Sequence, residues 1–130
     1  MPLRIDDLTI SASDLLWRRL FPKWILPIDE GGVRVSSAAF KDGNREVSVN
    51  LAALTAQQKT LAGFPNHGIA EILVGVPRSL GHAIVRDPEE DNPSHALICE
   101  PPAIPNKRRE RDAKEMARQA VILVMPSFTA

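Results

Sequence analysis

"VRVSSAAFKDGNREVSVNL", residues 33–51, decides how the rest of the chain is read. Val33, Val35, Ser37 and Ala39 alternate with Arg34, Ser36 and Ala38, which is the period of a strand. After "KDGN" the alternation resumes, with Val47, Val49 and Leu51 on one side and Glu46, Ser48 and Asn50 on the other. Asp-Gly between two alternating runs suits a tight hairpin turn. The stretch therefore predicts an antiparallel hairpin pairing 33–40 with 46–50.

Working outward, "ISASDLLWRRLFP" (10–22) predicts a first helix. Ser11 or Ser13 can cap it, Asp14 favours its positive end and Pro22 stops it. Leu15, Leu16, Leu20 and Trp17 would form its buried stripe, with Arg18 and Arg19 on the wet side. On the other flank "LAALTAQQKTLAG" predicts a short helix capped by Asn50 or Thr55 and ended by Gly63. "IAEILVGV" (69–76) is too short to reveal its period, and strand is preferred to buried helix. "PRSLG" reads as a turn, "HAIVRD" as a strand, "PEEDNP" as a loop, "SHALICE" as a strand and "PPAIP" as an extended linker.

"NKRRERDAKEMARQAVILV" (106–124) predicts the strongest helix, with Asn106 as its cap. Ala113, Met116, Ala117, Ala120, Val121 and Val124 make the apolar stripe. Arg108, Arg111, Asp112 and Glu115 would face water, with i,i+4 pairs Glu110–Lys114 and Arg111–Glu115. The expected fold is α+β: one domain over 1–130, a small, mainly antiparallel sheet of about five strands covered by helices, and an amphipathic C-terminal helix.

At 130 residues, 44% apolar and 25% charged, the chain suits one folded domain that buries roughly two-thirds of its unfolded surface. Sixteen basic residues balance sixteen acidic ones, so bulk charge favours neither nucleic acid nor an anionic membrane. Cys99 is the only cysteine, which suits a reducing compartment. No signal peptide is visible, and the longest apolar run, "AVILVM", is far short of a membrane span. A cytoplasmic protein without membrane contact is expected.

"LLWRRLFPKWI", "VRVSSAAFKDG", "EVSVNLAAL" and "DNPSHALI", in that order, resemble a pattern of short uncharacterised bacterial proteins. The resemblance covers most of the chain. It implies a complete bacterial domain and supplies no activity and no site residue.

Candidate chemistry centres on His95, which opens the apolar run after "EEDNP". A structural role at the strand's edge, bonded to a loop carboxylate or carbonyl, is preferred to a catalytic one. A metal site from His82, His95, Cys99 and an acid at 87–91 lacks local ligand spacing, so no metal is expected. Arg18 or Arg19 followed by Ser36 and Ser37 resembles ADP-ribosyltransferase-like enzymes that use NAD. That resemblance implies phosphate binding by the arginine and ribose polarisation by Glu89 or Glu90, although no glutamate motif stands on a late strand. No phosphate-loop or dinucleotide fingerprint is present, and no cofactor is expected. The 107–114 basic cluster is interrupted by acids and lacks stacking aromatics, which makes nucleic-acid binding the weaker alternative.

The leading expectation is protein–protein binding, with a second copy or a neighbouring gene's product as partner. Trp17, Trp24, Met116 and Val121 are the interaction candidates. The alternative is an enzyme with a polar site around His95, Arg18 and Ser36/Ser37.

Overall fold

Leu16 and Leu20 stand four residues apart, a spacing that fits one face of a helix and one face of a strand equally. The computed structural model describes residues 4–127, and there the segment is a strand, β1 (Leu15–Leu20), not the expected helix. The chain continues through β2 (Ile25–Pro27), β3 (Val33–Val35), β4 (Glu46–Leu51), α1 (Gln57–Thr60), β5 (Gly68–Leu73), α2 (Gly75–Ser79), β6 (Ala83–Arg86), β7 (His95–Cys99), α3 (Asn106–Gln119) and β8 (Val121–Val124). Six strands form one antiparallel sheet in the order β6-β7-β4-β1-β5-β8, and β2 and β3 form a separate two-stranded ribbon. The α+β class holds, with six strands in the main sheet where about five were expected.

β1 lies near the middle of the sheet, with successive side chains on its two faces. Leu16 and Leu20 enter the core, joined there by Val47, Val49, Ala70, Ile72, Ile84, Ala96 and Ile98 from the neighbouring strands. Arg18 falls on the same inward face. Its guanidinium donates to the Ala39 carbonyl (2.7 Å) and the Ser48 carbonyl (2.9 Å) and lies over the Trp24 ring. Desolvation pushes this buried guanidinium down to about 10. An inward arginine breaks the apolar alternation, which is why the segment imitates an amphipathic helix.

The expected hairpin does not form. β3 pairs with β2, and β4 pairs with β1 and β7. Two local choices divert the chain. The Ser36 hydroxyl accepts from the Ala38 amide and starts a 3-10 turn over Ser37–Phe40, whose Ala39 and Phe40 are buried. Gly43 lacks the positive φ that a tight hairpin turn needs; Arg45 has it instead, at 68°.

The last helix is shorter than expected. It ends at Gln119, and Val-Ile-Leu-Val turns extended to become β8 beside β5. β-branched Val121, Ile122 and Val124 favour that choice once a strand edge is available. Ala113, Met116 and Ala117 are buried as expected, but Val121 is 62% exposed. Asp112, expected in water, is buried and takes the His82 ring nitrogen at 2.9 Å. The expected i,i+4 pairs give way to other partners: Glu110 takes Lys41, and Glu115 takes Arg118 and Gln119. "PRSLG" contributes to the short helix α2 instead of a plain turn. Neither Asn50 nor Thr55 caps α1 with its side chain. Among the described residues, no helix is long and apolar enough to cross a membrane.

Candidate functional site

The sheet has one face under α3 and one face away from it. On the latter, Trp17 pairs with Asn50 across β1 and β4, and Asn50 pairs with His95 across β4 and β7. Arg19 lies two residues along β1 from Trp17 and therefore on the same face. Asn50, His95 and Arg19 line a cleft of about 660 Å³, closed on its sides by Thr60 and Phe64 and by the 89–93 loop.

Each of these three side chains is held by others. His95 Nδ1 lies 2.9 Å from the Asp87 carbonyl and 3.0 Å from its carboxylate, so Nδ1–H donates there and Nε2 is left open. The Asn50 carboxamide oxygen accepts from Asn92 Nδ2 (2.8 Å) and lies 3.0 Å from the Ser94 hydroxyl. That hydroxyl has a single hydrogen, shared between Asn50 and the Asn92 side-chain oxygen. Arg19 donates to the Thr60 carbonyl and lies 3.9 Å over the Phe64 ring. Burial holds its guanidinium below the ordinary value, and Glu89 partly offsets this. The loop itself is fixed: Glu89 and Asn92 exchange two backbone hydrogen bonds, and the Asp87 amide donates to the His95 carbonyl.

The expected constellations do not assemble. His95 faces this cleft, Arg18 is buried on the core side, and Ser36 and Ser37 line a different groove. Arg19 and Glu89 do share the cleft, but no serine pair reaches them. His82 is turned to Asp112, whereas Cys99 lies against Glu46, so His82, His95 and Cys99 make no common site. Desolvation, with Glu46 second, pushes the Cys99 thiol up to about 12, which makes it inert. Asn50, Asn92 and Ser94 were missed as site residues. The one signal for them is the Asn-Pro-Ser-His turn before an apolar strand.

The second feature is the sheet edge. β8 ends the sheet, and among the described residues its backbone makes no hydrogen bond except to β5. Its exposed side chains are Val121 and, at 38%, Leu123. A groove of about 680 Å³ runs beside it, floored by Val33, Val35, Ala117 and Ile122 and rimmed by Arg34 and Lys114. The other interaction candidates lie elsewhere. Trp17 donates its indole N–H to Glu71 (2.9 Å), Trp24 packs on the core, and Met116 is 1% exposed.

No protein-family model matches the chain, and neither a curated protein nor a solved structure matches it.

Proposed function

We propose that this protein works by binding another protein, and that the contact is made at β8. The observation that carries this is an uncharged Val-Ile-Leu-Val strand at a sheet edge, which none of the described residues covers. Such an edge offers a row of unpaired N–H and C=O groups to another strand, and folded proteins usually blunt it with charge, proline or a covering segment. Here only a register shift opposite Ile69/Ala70 and Pro126 beyond the strand's end disturb it. A partner strand would gain backbone hydrogen bonds from the edge and apolar contacts from Val121 and Leu123. Either a second copy or a different protein can supply that strand. A bacterial, cytoplasmic setting is part of the proposal, supported by the quoted segments and the lone buried thiol.

Val121→Lys with Leu123→Lys tests this. Both positions are exposed, so the melting curve should shift by no more than about 0.5 kcal/mol. Association should be lost, read as light-scattering mass for self-pairing and as co-purification from the host for a foreign partner. Undiminished association in the double variant refutes β8 as the contact.

One observation favours a second reading, polyanion binding by α3. Lys107, Arg111, Lys114 and Arg118 are exposed at i, i+4, i+7 and i+11, a single stripe, while Glu110 and Asp112 are held by Lys41 and His82. Arg118 pairs with Glu115 on the helix, and Lys114 lies within electrostatic reach of Glu110. Binding of duplex DNA with a log–log salt slope near −3, about −0.9 per neutralised phosphate, would favour it. A flat salt response would dismiss it.

A further inference from the structure

We propose that the cleft on the face away from α3 is a binding site for a small molecule that carries a carboxylate or phosphate at one end and an amino or hydroxyl group at the other. This goes beyond protein binding at β8 and does not rest on it.

Three side chains in the cleft keep hydrogen-bonding capacity after the protein's own needs are met. Asn50 spends its carboxamide oxygen on Asn92 and Ser94, which leaves its NH₂ group without a partner among the described residues. Arg19 spends one nitrogen on the Thr60 carbonyl and keeps the rest of its fork. His95 spends Nδ1 on Asp87 and keeps Nε2. None of these remaining atoms is sealed from solvent, and all three side chains line the cleft. Orienting polar side chains costs conformational entropy, which a protein gains from only if the fixed groups meet something. Here every one of the three has its own support: Asn92 and Ser94 behind Asn50, Asp87 behind His95, Phe64 and Thr60 behind Arg19.

The free groups decide the ligand. The Asn50 NH₂, the Arg19 fork and the Lys59 ammonium at the rim are donors, and His95 becomes one when protonated. Donors converging with a guanidinium select an oxyanion. Glu89 and Asp91 also line the cleft. They would repel a simple anion, but they accept hydrogen bonds from an ammonium or hydroxyl. A ligand with both ends satisfies both halves. The volume of about 660 Å³ lies within the range of small-molecule sites.

The test is a titration of the full chain followed by amide and side-chain NMR shifts. Four probes are used: acetate, glycine, inorganic phosphate and phosphoethanolamine. Saturable shifts should appear at Arg19, Asn50, His95 and the 89–92 loop. The acetate and phosphate arms identify the preferred oxyanion. Each amino-bearing probe should bind more tightly than its plain counterpart. Asn50→Asp keeps the acceptor that Asn92 and Ser94 need and replaces the free donor by an oxygen. It should weaken binding at least tenfold, about 1.4 kcal/mol. Arg19→Gln, at a less buried position, should do the same and serves if Asn50→Asp does not fold. The site is refuted if no probe saturates, if shifts centre on the α3 cations, or if both variants bind as wild type. If the amino probes bind no better than the plain ones, the two-ended ligand is wrong.

Discussion

The two edges of the sheet are built differently. At β6 the free side is sealed by the chain's own N-terminal segment: the Asp7 amide donates to the Ile84 carbonyl, and the Ile84 amide donates to the Asp6 carboxylate, each at 2.8 Å. The same two acids pair with Arg78 and Arg86, and Ile84 is fully buried. At β8, among the described residues, nothing comparable covers the backbone, and the exposed side chains are apolar. The molecule thus spends two carboxylates and two arginines on closing one edge and leaves the other open. An open apolar edge on a chain of zero net charge invites association, since little charge repulsion opposes it. This contrast is the main support for β8 as a contact surface.

The largest effect that bears on the comparison should come from α3, which reaches both edges. Asp112 ties it to the β6 side through His82, and its C-terminal end leads into β8. Asp112→Ala leaves His82 buried without its partner and removes one of the two acceptors of Arg108, which keeps the Leu80 carbonyl. It should cost about 3 kcal/mol in urea unfolding. A change below about 1 kcal/mol would show that the pair does not anchor the helix.

Gly68→Ala should act on the open edge alone. A Cβ there would lie 2.1 Å from the Val124 carbonyl and 2.7 Å from Pro126. The end of β8 must move away, at a cost of about 1–3 kcal/mol. Hydrogen exchange should quicken at β8 while β6 keeps its protection. Equal loosening of both edges would mean that they are not independent.

Asp6→Ala is the converse experiment. It removes the acceptor of the Ile84 amide and the partner of Arg78, and should cost about 1–2 kcal/mol. Exchange at Ile84 should quicken, and the unsealed β6 edge should add a second, weaker mode of association to light-scattering measurements. No new association would mean that sealing β6 is not what keeps that edge from pairing.

The smallest effect concerns pH at the far end of β8. His67 stands beside Asn66, whose carbonyl takes the Ser127 amide, and both its ring nitrogens are buried without a partner between Phe21 and Phe64. Desolvation, helped by Arg19, holds its pKa below 6.5. The folded state therefore prefers neutral His67. That contribution is fully present above 6.5 and is lost as pH falls from there through the folded pKa. The melting temperature should drop more between pH 7.5 and pH 5 in the wild type than in His67→Phe. Equal drops would remove His67 as the cause.

Strand-forming runs were legible, but alternation alone misled over residues 36–40, where a 3-10 turn replaces the expected strand. β4, β6 and β7 stand where Val47/Val49, "HAIVRD" and "SHALICE" put strands, and β5 takes the first part of the 69–76 run, whose end turns into α2. Errors occurred where a polar residue entered the core or an apolar run changed state. Arg18 disguised β1, Asp112 looked like a surface residue, and "AVILV" continued the helical stripe although its β-branched residues belong to β8. Of the cleft, only His95 stood out as a leading candidate, because Arg19 and Asn50 owe their position to the pairing of β1, β4 and β7.

What the sequence by itself determined is local: which runs alternate, where serine and proline interrupt them, and that one helix presents Ala113, Met116 and Ala117 to a core. Those features depend on side-chain period and backbone preference, which act over a few residues. Only the tertiary structure decided which strands are neighbours, that residues 6–7 seal β6 while none of the described residues seals β8, and that Arg18 and Asp112 turn inward. Most of these depend on distant partners, up to about 80 residues away — carbonyls, a histidine, a strand edge — and a buried polar group becomes tolerable only when such a partner meets it.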